Sequence, residues 1–411
     1  MLLAETIRKI VELQEKNFQS QETWVNRDLL DSIDVNVHKA IIISGIRRCG
    51  KSTLLKQLMG KTGNCNFFNF EDSRANGFDL NDFDKLSQVF TEMHPGVDCY
   101  YFDEIQVVPE WERFVRGELD IGKKFAITGS NASLLSIELG TKLTGRHLTY
   151  ELFPFSYAET LRMKRKSPSP ATFDEYIERG GFPEYVLSGT QDILQQLFTD
   201  IITRDIVVRY GLRNASVVQD LALHLLSNVG SEFSYTNLAK TYDLAPNTVR
   251  DYISYFMDSY LLFTVPKFSY SVRKTAINPK KIYAIDHALI KANTLAFTAN
   301  NGSLLENIVF LELRRYHNRN SIYYYKEDKR ECDFIVTEKR KPVHAIQVCY
   351  KLTPDNFRRE VDGVKEAMSA LGLDKGLIIT MDQTDKFDNV EIVPAWKWLT
   401  ASVPHIIEPG S

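Results

Sequence analysis

The stretch that most limits what this chain can fold into is Ile41 to Leu58, reading IIISGIRRCGKSTLLKQL. An apolar run (Ile41, Ile42, Ile43) leads into Gly45, Ile46, Arg47, Arg48, Cys49, Gly50, Lys51 and Ser52, which fit G-x-x-x-x-G-K-[ST] at every fixed position. Thr53 and a leucine-punctuated helix follow. Strand, glycine-rich turn and helix in that order let successive backbone N–H groups curl inward onto phosphate oxygens, aided by the positive end of the helix. Lys51 would neutralise the outer phosphates, and the Ser52 hydroxyl would hold Mg2+. A chance glycine-rich turn is the bland alternative, and the flanking strand and helix argue against it.

The chain continues as a series of short apolar strands whose ends carry polar groups. Asn66 to Phe70 ends at Glu71 and Asp72, and Asp98 to Phe102 runs into Asp103 and Glu104. Apolar residues running into Asp-Glu deliver two carboxylates to the sheet edge where ligands sit. Asp103 would support the magnesium and Glu104 would polarise the attacking water. Lys123 to Asn131 is a further strand ending in small polar residues, of which Ser130 or Asn131 could bond the γ-phosphate or the water. Arg146 precedes the strand from His147 to Leu152. It reads either as an arginine finger offered to a neighbouring subunit or as a surface arginine capping a sheet edge.

GIRRCGKSTLL, YYFDEIQ, FAITGSNASLL and LTGRHLTYELFPFSYAE together resemble the AAA+ ATPases of the prokaryotic and archaeal-type branch. The resemblance covers roughly residues 20 to 160 and implies a parallel five-stranded sheet in the order 5-1-4-3-2. It assigns Lys51 and Ser52 to the phosphate loop, Asp103 and Glu104 to the carboxylate motif, and Ser130 or Asn131 to the sensor. Arg146 falls on the family's Gly-Arg motif. ATP and Mg2+ are the implied ligands, and a homo-oligomer with shared ATP sites is an implied partner arrangement.

With 411 residues, two to three domains are expected, and 44% hydrophobic with 25% charged residues is an ordinary soluble globular composition. A net charge of −3 excludes a globally basic nucleic-acid binder, so any such surface must be local. Cys49, Cys65, Cys99, Cys332 and Cys349 are scattered without metal-ligand spacing, which suggests reduced thiols in a cytoplasmic protein. The opening segment carries Glu5, Arg8 and Lys9, unlike a signal peptide. It reads as an amphipathic helix (Ile7, Ile10, Val11, Gln14, Phe18) over residues 1–20, packing on the domain at 21–154. No uncharged run is long enough to span a bilayer, so no membrane contact is expected.

Beyond the ATPase-like core, Lys164 to Pro170 reads as a linker. Residues 155–215 read as a helical, lid-like region with the Gly180-Gly181-Phe182-Pro183 turn that the resembled family shows. Arg204 and Asp205 sit there as a structural ion pair or, less favoured, with Arg204 on the nucleotide. Residues 216–279 have the rhythm of helix, turn and helix followed by two strands, Leu261 to Val265 and Phe268 to Val272, and resemble a winged helix. Contact with DNA would use Asn247, Thr248, Arg250 and Tyr252, with Arg273 and Lys274 on phosphates. The acidic and aromatic helix equally suits interdomain packing.

Residues 280–411 resemble the restriction-endonuclease-like α/β core of PD-(D/E)xK nucleases. Glu306 and Asp333 match its pattern. Gln347 and Cys349 stand where the family has Glu and Lys, which removes a charge and introduces a poor magnesium ligand, with Lys351 as the only substitute lysine. The expectation is therefore a binding module and not a nuclease. The expected whole is an ATPase controlling a DNA- or protein-binding tail. The alternative is a nucleotide-gated switch that seldom turns over.

Overall fold

A computed structural model of the chain describes residues 1–19, 25–131, 143, 145–294 and 301–401. It divides into two compact units, Met1–Phe153 and Pro154–Ser411.

In the first unit, α1 (Ala4–Gln19) precedes a sheet of β1 (Ala40–Ser44), β2 (Asn66–Asn69), β3 (Cys99–Asp103), β4 (Lys124–Gly129) and β5 (His147–Glu151). Helices α2 (Lys51–Thr62), α3 (Asp82–Met93) and α4 (Trp111–Asp120) connect them. The sheet is wholly parallel in the order β2-β3-β4-β1-β5, which is the expected 5-1-4-3-2 read from the other edge. All five residues of β1 are buried, as a central parallel strand covered on both faces requires. Ile7, Ile10 and Val11 of α1 join the same core as Phe68, Phe83 and Phe102. Gln14 fastens the helix down: its amide donates to the Asn69 carbonyl at 3.0 Å and its oxygen accepts from the Asn69 N–H at 2.9 Å. The side chain of Phe18, expected on that face, lies outside the described residues.

The second unit begins with α5 (Tyr157–Lys164), α6 (Pro170–Arg179), α7 (Pro183–Ser188) and α8 (Asp192–Asp200), the last running on as a π-helix over Ile201–Val208. Lys164 to Pro170 does not act as a linker. Lys164 and Lys166 both grip Glu175 of α6, at 2.5 and 2.6 Å, and Ser169 caps that helix. The division of the chain falls earlier, after Phe153. The Gly180-Gly181 turn is a close approach: a Cβ on Gly181 would collide with the Phe155 carbonyl oxygen, and one on Gly180 with the Asp286 carboxylate. Asp286 accepts from the Gly181 N–H at 2.7 Å.

Next come α9 (Ala215–Ser227), β6 (Glu232–Phe233), α10 (Tyr235–Thr241), α11 (Pro246–Asp258), β7 (Leu262–Pro266), α12 (Val272–Ile277), β8 (Lys280–Ala284) and α13 (His287–Asn293). The three strands form an antiparallel sheet in the order β6-β8-β7. The strand expected at Phe268 to Val272 is not formed. Residues 267–279 are instead the connection of a β7–β8 hairpin closed by the Pro266–Lys280 pair, with α12 inside it, started by the Ser271 side chain accepting from the Lys274 N–H.

The remaining chain runs through α14 (Asn301–Tyr316), β9 (Ile322–Glu327), β10 (Arg330–Glu338), β11 (Lys341–Cys349), α15 (Phe357–Leu371), β12 (Gly376–Thr380), β13 (Asp385–Phe387), β14 (Val390–Pro394) and α16 (Ala395–Trp398). Its six-stranded mixed sheet has the order β13-β14-β12-β11-β10-β9. No described helix is long and apolar enough to cross a membrane.

Candidate functional site

The carboxyl ends of β1, β3 and β4 meet at one edge of the first sheet, because parallel strands all deliver their ends to the same side. Between β1 and α2 the loop turns through left-handed backbone at Arg48 (φ 63°) and Gly50 (φ 100°). Gly45 is required for a different reason: a Cβ there would run into the Leu152 carbonyl oxygen. Ile46 and Cys49 are fully buried and anchor the loop from beneath. Arg47 reaches outward to Glu71 at 2.9 Å. Thr53, in the first turn of α2, is half-buried, and Ser52 before it is exposed.

Lys51 is only 4% exposed, and its ammonium donates to the Ile46 carbonyl at 3.1 Å and pairs with Glu104 at 3.2 Å. Glu104 takes left-handed backbone (φ 52°, ψ 44°), a strained conformation for a non-glycine residue, and this turn brings it back onto the loop. Its carboxylate also accepts from the Gln106 amide at 2.5 Å and from the Ser130 N–H at 3.2 Å. Burial acts to raise the Glu104 pKa, but Lys51 and Gln106 outweigh it and hold the group below its ordinary value. Asp103 goes the other way. Burial and then the neighbouring Glu104 raise it, against hydrogen bonds from Thr128 and Ser52. The proximity of Ser52 to Asp103 places a hydroxyl and a carboxylate together, two hard oxygen donors of the type Mg2+ prefers.

Thus Lys51, Ser52, Asp103, Glu104 and Ser130 come together. Asn131 is buried at the same edge, its carbonyl accepting from the Ser44 hydroxyl at 2.8 Å. Arg146 lies elsewhere. It precedes β5, whose first residue pairs with Ala40 at the start of β1, so it stands at the opposite edge of the sheet from the loop. There its guanidinium pairs with Asp120 of α4. Arg204 is exposed and makes no ion pair among the described residues, so no Arg204–Asp205 pair forms.

Three contributors escape sequence reading. Thr128 donates to Asp103 and accepts from the Glu104 N–H at 3.0 Å, setting the spacing of the two carboxylates. Gln106 has its place only because Glu104 turns. Arg27, 2% exposed, donates to the Cys49 carbonyl at 2.8 Å and to the Phe153 carbonyl at 2.6 Å, tying the loop to the end of its unit. A polar residue ending the strand beside the Asp-Glu strand was a readable signal for Thr128; nothing in the local pattern marks Arg27.

A second polar cluster lies in the other unit. The Lys281 ammonium of β8, 3% exposed, sits 3.1 Å from Glu306, 2.6 Å from Glu331 and 2.7 Å from Asp333. The Asp333 N–H donates to the Gln347 side-chain oxygen at 3.1 Å, and the Gln347 amide donates to Glu360 at 2.8 Å. Burial raises the Cys349 thiol to about 11. Lys351 lies beyond the end of β11 and lines, with Glu306, Glu331, Asp333, Gln347 and Glu360, a cavity of about 500 Å3. Among the described residues, no group of three or more His, Cys, Asp or Glu is placed to hold a metal ion. Lys326 also reaches Glu331, at 3.5 Å, which leaves Glu306 and Asp333 to share Lys281, and burial together with Asp333 raises Glu306 to about 7.

This has a pH consequence. Glu306 keeps its proton in the fold where the unfolded chain's carboxyl, with an ordinary value of 4.5, has lost it, so its stabilising contribution is full below that value and is lost as pH rises through about 7. Glu306→Gln is always neutral. The variant's thermal midpoint, measured beside the parent's, is expected to gain on it steadily from pH 5 to 8. A constant difference would show that Glu306 does not titrate in this range.

Strand order, phosphate loop and convergent carboxylates define a P-loop nucleoside-triphosphate-binding domain. An AAA domain family matches residues 37–161, and two domains of unknown function, DUF8612 and DUF4143, match 170–300 and 301–398. The chain is 33% identical over 410 residues to the uncharacterized protein MJ1544 of Methanocaldococcus jannaschii, covering 91% of this chain and 90% of that one. It is 30% identical over 384 residues to an uncharacterized protein of Haemophilus influenzae, covering 87% and 93%. The chain belongs to this family of AAA-domain proteins. Among solved structures it is similar to the Thermotoga maritima RuvB Holliday junction branch migration motor, with 16% identity and a TM-score of 0.30 over 64% of this chain and 89% of that one, a likeness too loose to argue from.

Proposed function

We propose that this protein is a Mg2+-dependent ATPase whose second unit meets a macromolecular partner. The observation that carries the reading is the Lys51–Glu104 pair: the lysine that would meet phosphate and the carboxylate that would meet water touch across one loop. A phosphate entering the loop competes with Glu104 for the Lys51 ammonium. Its arrival therefore frees Glu104, ionised and held by Gln106 and the Ser130 N–H, to accept a proton from water. Gly45 through Thr53 supply the cradle, Ser52 and Asp103 would hold the magnesium, and Ser130 or Asn131 would orient the γ-phosphate or the water. Bound there, Mg2+ supplies charge neutralisation at the phosphates.

Arg146 stands at the far edge of its own sheet and cannot serve its own loop. A catalytic part for it therefore requires a second copy of the chain, and its pairing with Asp120 favours the capping role instead. The helices α9, α10 and α11 with the β6-β8-β7 sheet fit a winged helix, whose middle strand β8 lies past the expected end at 279, and α14 with the six-stranded sheet fits a PD-(D/E)xK core. Lys281 fills the centre of that core's carboxylate cluster, which favours a binding module over a nuclease.

The test is phosphate release from ATP by the full chain with Mg2+, with Lys51→Ala as the blank. Release well above the blank supports the reading. Equal, background release with retained ATP binding would instead make the protein a nucleotide-gated switch.

A further inference from the structure

The net charge of the chain is −3, yet from Ser259 to Ile285 the sequence contains no Asp or Glu while it carries Lys267, Arg273, Lys274, Lys280 and Lys281. Lys281 is spent on the buried carboxylates. The other four are joined by Arg250 of α11, and none of these five makes an ion pair among the described residues. A run of basic residues with no carboxylate between them in the chain and no ion pair to offset them sums to a local positive field on a protein that is acidic overall.

Geometry joins them. The Arg250 guanidinium lies 5.1 Å from the Tyr235 ring centre, held against α10. Lys280 pairs in register with Phe233 on one side and Pro266 on the other, at the base of the hairpin whose connection carries Lys267, Arg273 and Lys274. Burial and then the nearby Arg250 push the Lys280 pKa down, which puts the two cations within electrostatic reach of each other. Proximity of this kind is unfavourable unless something anionic covers it.

The same hairpin connection exposes apolar surface. Tyr270 is 74% exposed, Val272 86% and Ile277 73%. Three large apolar side chains standing in water within one short basic segment mark a contact surface.

We propose that the hairpin connection 267–279, together with Arg250 and Lys280, is a docking surface for duplex DNA. This names the partner for the second unit, and so rests on the reading that this unit meets one. The exposed face of α11 favours a duplex over an anionic bilayer. Asn247, Arg250 and Ser254 recur along it at helical spacing and are exposed polar groups suited to base edges and phosphates, with Asp251 beside them and the half-buried Asp258 at the helix end as the carboxylates of α11. A membrane-binding face at that place would be apolar. The expected reader differs from the sequence-based one in one respect: Tyr252 is 8% exposed and packs inward, so it cannot enter a groove.

The test is fluorescence anisotropy of a labelled random-sequence duplex with the full chain, measured without nucleotide so that the outcome is independent of ATP turnover. With four to five phosphate contacts, the logarithm of affinity is expected to fall with the logarithm of salt at a slope of about −4. Arg273→Glu with Lys274→Glu is expected to weaken binding at least tenfold and to flatten that slope by about 2. The exposed pair Lys375→Glu with Lys386→Glu lies on the β12 and β13 side of the six-stranded sheet, across from β9, to which Lys267 is bridged; the same change in net charge there should leave affinity within about twofold if the site is local. No binding by the parent, or equal loss in both double variants, overturns the proposal. So does sedimentation with vesicles of equal parts phosphatidylcholine and phosphatidylserine, abolished by the Arg273 and Lys274 reversals, in the absence of DNA binding.

Discussion

Replacing Glu104 with glutamine is expected to lower ATP turnover by about 10²- to 10⁴-fold while leaving ATP affinity close to that of the parent. Glutamine keeps the size of the side chain and can still accept from the Ser130 N–H and from Gln106, but it cannot take a proton from water. It also ends the ion pair with Lys51, which stands at 3.2 Å. Lys51 then has no competitor for phosphate, so affinity is expected to hold or rise. Phosphate release and fluorescent-nucleotide binding, measured side by side, separate the two effects. Equal turnover in parent and variant would remove Glu104 from the reaction and leave Asp103, whose pKa is raised by burial, as the remaining carboxylate. Arg146→Ala in the same assay asks whether copies share sites: lowered turnover with unchanged affinity implies a neighbouring subunit, whereas unchanged turnover leaves the Asp120 partner as its whole role.

The second large effect is expected at Lys281. Lys281→Met keeps most of the side-chain volume and removes the ammonium that sits between Glu306, Glu331 and Asp333. Breaking a buried ion pair by deleting one member costs about 3–5 kcal/mol, because the partner charges stay behind. Here Glu331 keeps Lys326 at 3.5 Å, while Asp333 and Glu306 are left without an ammonium among the described residues. For a unit of this size, that lowers the thermal midpoint on the order of 10 °C, read by calorimetry on the full chain as a shift of one transition. Adding Glu306→Gln to the variant should recover part of the loss by removing one stranded charge. A midpoint within a degree or two of the parent's would show that the carboxylates are satisfied without the lysine.

The two sites differ in how far their parts could be read from the chain. The loop from Gly45 to Ser52 and the Asp103-Glu104 pair are local patterns, each set by neighbouring residues, so both stand out in one dimension. The strand order was legible only through the resemblance to AAA+ ATPases that these motifs carry, since the apolar runs by themselves do not say which strand lies beside which, and the sheet has that order. The short helix at Val272–Ile277 was missed for a local reason too. Alternating aromatic and small residues from Phe268 to Val272 look strand-like, but the Ser271 cap and the pairing of Lys280 with Pro266 turn the segment into a hairpin connection.

Local sequence patterns carry the class of chemistry: a loop for phosphate, carboxylates to follow it, and a tail whose Gln347 and Cys349 depart from a magnesium site. Which groups touch is a matter of packing. Arg27 reaches the Cys49 carbonyl from 22 residues away, and Lys281 reaches Asp333 from 52 residues away. Such contacts depend on how elements pack and not on what flanks them, and an ammonium or guanidinium takes its meaning from the oxygens that packing places around it. That is why Lys51 was legible from its neighbours in the chain, while Lys281, with no motif around it, became the cation of a second cluster only once β8 was laid beside the carboxylates.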